Sequence, residues 1–316
     1  MTAPALRLRH VLCPTDFSEF SERALRNAVA IASTQRSTLT IVHVFPYAAP
    51  IGAGMPPALV QQLGPAARQK LLERLQAFAE PARAAGLWPQ TILLEGDPAR
   101  EIGRLAEVLS ADMLVLGSHG RRGLERFVRG SVTEELVRRA PCPVLTVCHG
   151  ESPEVEENAV QRILCATDLR SNAGGELAHA ISLAAQSRAK LTVVHVLETL
   201  IDATPGSEVT KALRWNYEHA ARQRLLEAVP EEIRQLIPIR EVVVAGRAHE
   251  QILRVAREEA SQLIVLGASH QGALERLWFG STTQRVVREA PCPVRIVRLE
   301  ESRRRQSMPA MQAASA

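Results

Sequence analysis

Lysine is nearly absent from this chain of 316 residues. Lys70, Lys190 and Lys211 are the only ones among 38 basic residues, and none follows a glycine-rich loop. A GxxxxGK[ST] phosphate loop is therefore excluded. Aromatic residues make up 3% of the chain, too few for the stacked platform on which single-stranded nucleic acid is held. The net charge of +4 is small, and the last sixteen residues, with three Arg against one Glu, carry +2 of it. No basic stripe remains for a duplex, so no nucleic-acid partner is expected. The five cysteines form no CxxC pair, and their odd number fits a reducing compartment better than a disulfide framework. No apolar run reaches the roughly 18 residues of a membrane span. The opening MTAPALRLRHVLC lacks the apolar core of a secretory leader. A cytoplasmic protein without membrane contact is the expectation. A GxSxG elbow is missing, His249-Glu250 has no second His at i+4, and the nine histidines form no metal-spaced cluster. Neither a hydrolase triad nor a metal centre is indicated, and no catalytic residue stands out.

What the chain does contain is enough apolar material for real cores, with 46% hydrophobic residues, 23% charged residues and mean hydropathy of −0.04. Its length suggests two domains. The sequence also repeats: residues 114–147 align without a gap to 264–297, with 17 of 34 positions identical. HVLCPTDFSEF near the start matches RILCATDLRSN, and TIVHV at 40–44 matches TVVHV at 192–196. Two copies of one domain are joined, at 1–148 and 161–300. The polar, acidic stretch 149–160 reads as a linker. The tail 301–316 has little to bury and reads as disordered.

Within each copy, short apolar runs alternate with stretches of helical period, the signature of βαβ units around a parallel sheet. The first copy places strands near 9–13, 38–44, 91–95, 112–116 and 143–147. They are apolar almost throughout, as when helices cover both faces. Ser18 caps a helix whose apolar face is Phe20, Ala24, Ala28, Ile31 and Ala32. Further helices fall near 57–86, 98–110 and 131–140, and the second copy repeats the scheme over 161–298. The fold class is α/β, two tandem doubly wound domains with five parallel strands each. Cys13, Cys165, Cys142 and Cys292, at or before apolar strands, read as small buried hydrophobes.

Ligands of such sheets bind beyond the carboxyl ends of the strands. There the first copy has Pro14, Thr15 and Asp16, then His43 and Val44, then the loop GSHGRRGLERFVRGS from Gly117 to Ser131. Arg121, Arg122, Arg126 and Arg129 against Glu125 give that loop +3. A helix start behind it presents backbone N–H groups to an anion, and a phosphate-bearing ligand is the physical inference. His43 and its twin His195 read as structural imidazoles.

Gly117-x2-Gly120-x9-Gly130-Ser131 after a strand, together with PTDFSE after the first strand, resembles the universal stress protein family and especially its ATP-binding branch. The resemblance covers essentially the whole chain as two tandem domains. It implies an adenine nucleotide alpha hydrolase-like sheet with ATP across the strand ends, with or without Mg2+. By matched motif, Pro14, Thr15 and Asp16 would line the adenosine side and the backbone of Val44 would meet adenine. Leu116, Gly117, His119 and Gly120 would line the ribose and phosphate path, while Gly130, Ser131 and Val132 would hold phosphates. Single-domain members pair through their final edge strands, which implies an intramolecular pseudo-dimer through 143–148 and 293–298. A further homo-oligomer is compatible with this, and the protein partners are unknown.

The second copy departs from the motif. It keeps Asp168, Gly267, Gly280 and Ser281, but His270 replaces the middle glycine and Ala166 replaces the proline. Arg121, Arg122 and Arg129 become Gln271, Gly272 and Phe279, leaving Glu275 and Arg276 with no net charge. A degenerate second site is the expectation. Three functions stay open: a stress-response module that holds ATP in the first domain, a slow ATPase or self-phosphorylating protein, and an ATP-independent interaction protein. The glycine pattern and the basic loop favour the first, and the lack of a base or lysine near the phosphates argues against efficient turnover.

Overall fold

A computed structural model describes residues 7–45, 64–118, 131–147, 160–169, 175–198, 208–268 and 280–298. Two compact units divide them, one before and one after residue 150. In the first, the elements run β1 (His10–Pro14), α1 (Glu19–Gln35), β2 (Thr38–Phe45), α2 (Pro65–Phe78), α3 (Glu80–Ala84), β3 (Gln90–Glu95), α4 (Pro98–Val108), β4 (Met113–Gly117), α5 (Ser131–Arg139) and β5 (Val144–Val147). The strands pair in parallel in the order β3-β2-β1-β4-β5. The chain winds outward from β1 to β3 and then returns to β4 on the other side of β1. The carboxyl ends of β1 and β4 therefore flank the reversal point, where this class of sheet opens a crevice.

The local chemistry explains these elements. Val11, Leu12 and Cys13 have no exposed surface, in keeping with a strand covered on both faces. Ser18 accepts a hydrogen bond from the Ser21 amide at 3.3 Å and caps α1, whose Phe20, Ala24, Ala28, Ile31 and Ala32 are all buried. Asp97 does the same for α4 through the Arg100 amide at 2.9 Å. The strands lie within a residue or so of their expected places. The helix expected over 57–86 differs: α2 begins at Pro65, and a break at Ala79 separates it from α3. Pro81 has no N–H to continue the ladder and its ring crowds the preceding turn, which ends α2. Residues 57–63 lie outside the described residues.

The second unit repeats the winding through β6 (Arg162–Ala166), α6 (Gly175–Ser187), β7 (Lys190–Leu197), α7 (Glu208–Ala228), α8 (Glu231–Arg234), β8 (Ile239–Ala245), α9 (Ala248–Glu258), β9 (Leu263–Ala268), α10 (Ser281–Glu289) and β10 (Val294–Arg298). Its parallel order is β10-β9-β6-β7-β8. Each half is thus a doubly wound α/β unit with a five-stranded parallel sheet. Of the expected linker only Val160 is described, and it is buried; the tail 301–316 lies outside the described residues. No described helix is long and apolar enough to cross a membrane.

Candidate functional site

The turn from β1 into α1 is built by side chains that satisfy the backbone. The Thr15 amide donates to the Val42 carbonyl at 2.8 Å and extends the pairing of β1 with β2 by one residue. Thr15 Oγ1 then accepts from the Phe17 amide at 2.9 Å, and Asp16 Oδ1 accepts from the Ser18 amide at 3.0 Å. These two bonds hold Phe17 at φ +62°, a left-handed conformation that costs a non-glycine residue on the order of 1 kcal/mol. The Thr15 hydroxyl donates to Ser21 Oγ at 3.0 Å, which locks the same corner to the first turn of α1.

Beside this corner, His43 Nδ1 lies 2.7 Å from the Thr15 carbonyl oxygen. A carbonyl only accepts, so the proton sits on Nδ1 and the imidazole serves as a strut between β2 and the turn. His195 repeats the bond to the Thr167 carbonyl at 2.9 Å, so both histidines have the structural role expected of them. Val44 is buried near the end of β2. Leu116 and Gly117 end β4, and a Cβ on Gly117 would stand 2.8 Å from Phe20 Cβ and 2.9 Å from the Phe20 carbonyl oxygen. Close contact of α1 with β4 thus requires glycine there before any ligand is considered. Thr133 Oγ1 donates to the Gly117 carbonyl at 3.0 Å, which fixes the first turn of α5 beside the end of β4. Pro14, Thr15, Asp16, Val44, Leu116 and Gly117 therefore come together at three adjacent strand ends. Ser131 and Val132 open α5. His119, Gly120 and Gly130, with the four arginines of the loop, lie outside the described residues.

The second half keeps the corner and changes what surrounds it. Leu169, at φ +57°, donates its amide to Thr167 Oγ1 at 3.3 Å, as Phe17 does to Thr15. The Thr167 hydroxyl, however, donates to Glu176 Oε1 at 2.9 Å. Burial pushes the Glu176 carboxyl above its ordinary pKa, and the charge of Asp168 adds to the rise, while hydrogen bonds from its own amide and from Thr167 oppose it. Further along α6, His179 Nε2 accepts from Arg295 at 3.2 Å in a buried pair. At the other end of this site, Gly280 and Ser281 open α10. His270 and the neighbouring loop positions lie outside the described residues.

Residues 7–147 and 159–298 each match the sequence profile of the universal stress protein family. The chain belongs to that family. A universal stress protein of Methanocaldococcus jannaschii is 34% identical over 146 residues, covering 44% of this chain and 81% of that one. The crystal structure of a universal stress protein from Archaeoglobus fulgidus spans both halves, covering 92% of this chain and 98% of its own, at 22% identity and a TM-score of 0.64. A universal stress protein solved in complex with cAMP is 25% identical over 44% of this chain and 94% of its own, at a TM-score of 0.33.

Several residues of this universal stress protein escaped the sequence reading. The Phe17 ring lies 4.4 Å from the His43 ring and 5.7 Å, edge-on, from that of Phe78, and the Arg74 guanidinium sits 4.3 Å above it. A wedge of aromatic and cationic groups thus stands beside the strand ends, worth about 0.5–1 kcal/mol for the cation on the ring where exposed. Phe17 belongs to the PTDFSE motif and could have been singled out; Arg74 and Phe78, far away on α2, carried no signal. Cys13, Cys142, Cys165 and Cys292 are buried as expected, and burial pushes the Cys13 thiol up to about 12, which leaves no thiolate nucleophile there.

Proposed function

We propose that this universal stress protein is a cytoplasmic stress-response module that binds ATP in its first domain, residues 1–148. The linker 149–160 joins it to a second domain, 161–300, that holds no triphosphate, and 301–316 form a tail. The observation that supports this reading is the convergence of Thr15, Asp16, Val44, Leu116 and Gly117 on one crevice, with the amino end of α5 tied to it through Thr133. Backbone N–H groups at that helix start favour an anion, and the loop between β4 and α5 carries four arginines against one glutamate in its sequence. In this assignment Pro14, Thr15 and Asp16 line the adenosine end and the Val44 backbone meets adenine. Leu116, Gly117, His119 and Gly120 line the ribose and phosphate path, and Gly130, Ser131 and Val132 hold the phosphates. Binding without efficient turnover follows from the chemistry of the set, since Asp16 stands at the adenosine end and the loop holds no lysine.

The test is to purify the protein without added nucleotide, denature it and identify the released ligand by mass spectrometry. Stoichiometric ATP is expected. A flavin, or a nucleotide other than ATP, overturns the assignment.

A further inference from the structure

The crevice at the reversal of strand order is floored differently in the two halves. Residues 14–44 align with 166–196 without a gap, which sets Glu176 at the place of Ala24. Ala24 is a buried methyl group. Glu176 is a carboxyl group only 3% exposed. Its Oε1 is engaged by Thr167, but its Oε2, fully withdrawn from solvent, has no hydrogen-bond partner among the described residues. A Cβ built on Gly267 would stand 2.9 Å from that oxygen, so only glycine leaves it room. Thr167 follows β6 and Gly267 lies near the end of β9, and these strands are direct neighbours, with Ala166 opposite Leu266. The carboxyl therefore sits between the two strand ends at the reversal point, where sheets of this class take their ligands.

The electrical character of the place is inverted relative to the first half. There the loop sequence carries Arg121, Arg122, Arg126 and Arg129, and the helix contributes no acid at the crevice floor. Here three of those arginines are gone and a carboxyl replaces the methyl group, while Asp168 keeps the place of Asp16. A buried acceptor without a donor opposes folding, and groups that break local rules in this way gather at functional sites. The atom that would complete Oε2 is an N–H donor, and a positive charge on that donor would strengthen the bond and neutralise the acid.

We propose that the strand-end crevice of the second half binds a small ligand bearing a cationic N–H donor, an ammonium or guanidinium group, received by Glu176 Oε2 with Asp168 as the second negative charge. A polyphosphate loses three of the four loop arginines and gains the Glu176 acid here, and is rejected. The assignment is independent of what the first half binds.

Butylguanidinium and butylurea have the same shape and differ in charge, so they serve as probes of the full chain by saturation-transfer NMR. The wild-type protein is expected to bind butylguanidinium at least about tenfold more tightly than butylurea, as one charge-assisted hydrogen bond implies. Glu176→Gln keeps the acceptor for Thr167 and loses the charge, and should weaken butylguanidinium by a similar factor. Near-UV circular dichroism of each variant confirms that it is folded. Gly267→Ala, which sets a methyl group against Oε2, provides a second route to the same loss. Failure of the wild-type protein to bind butylguanidinium, equal binding by wild type and Glu176→Gln, or equal affinity for the two probes would each overturn the proposal.

Discussion

Replacing Glu176 by glutamine should make the unliganded protein more stable, and only above acid pH. The side chain is 3% exposed and one of its oxygens lacks a partner, so ionising it in the folded state is opposed by burial. Its folded pKa lies above the ordinary value of 4.5, so between those two pKa values the folded protein binds more protons than the unfolded chain. Stability then falls as pH rises from about 4.5, and the penalty is complete above the folded pKa. Glutamine retains the oxygen that Thr167 needs and has nothing to ionise. An unsatisfied buried polar group costs about 1–3 kcal/mol, more when charged, so a gain of about 1–2 kcal/mol near neutral pH is expected. Below about pH 4 both states of the wild type are protonated and the gain should shrink towards zero. Urea unfolding of the two proteins, compared near pH 4 and near pH 7.5 and read in the transition of the second half, measures both numbers. A variant no more stable than wild type near neutrality, or one whose gain is the same at both pH values, would refute the reasoning.

Other outcomes follow from the first half. Gly117→Ala should destabilise the protein by about 1–3 kcal/mol whether or not nucleotide is present, because the new methyl group meets the backbone of Phe20. Gly64→Ala, with nothing within 4 Å of the added carbon, is the control and should stay within about 0.5 kcal/mol. Neutralising Arg121, Arg122 and Arg129 together should weaken ATP far more than adenosine in calorimetric titration, and the wild-type preference for ATP should decline with added salt; equal losses for the two ligands would point to a folding defect instead. If the halves pair through 143–148 and 293–298 as the family resemblance implies, residues 1–148 alone should self-associate in light scattering, since an uncovered edge strand seeks a partner. A monomeric fragment at high concentration would count against that pairing.

The fold was legible because burial on both faces leaves its mark on every strand. Runs such as LTIVHV or LVLG, alternating with helical period, leave little choice but a covered parallel sheet, and the internal repeat doubled the signal. Where the sequence misled, over 57–86, the missing information was the effect of one proline on a long helical pattern. The strand-end positions Pro14, Thr15, Asp16, Val44 and Gly117 could be singled out because ligands of such sheets bind where the strands end, while Leu116 was named by the family resemblance alone. Contacts reaching across the chain were not legible: nothing in the spacing of Phe17 and Arg74 announces that a guanidinium covers a ring 57 residues away. Glu176 is a different case. The gapless alignment of the halves already set an acid against Ala24 on the buried face of a helix. Comparing the copies at their helices as well as at their motifs would have exposed it.

The left-handed corner at Phe17 recurs at Leu169, held by the same threonine hydroxyl in each half. Since the two halves have otherwise diverged in charge, in glycine content and in the floor of the crevice, that shared distortion belongs to the common blueprint from which both were copied. A strained backbone in this molecule is therefore a record of ancestry and no guide to which copy still works. Anyone assigning activity to one domain over the other by its unusual dihedral angles would find the two indistinguishable, and would have to look to the side chains that fill the space around them.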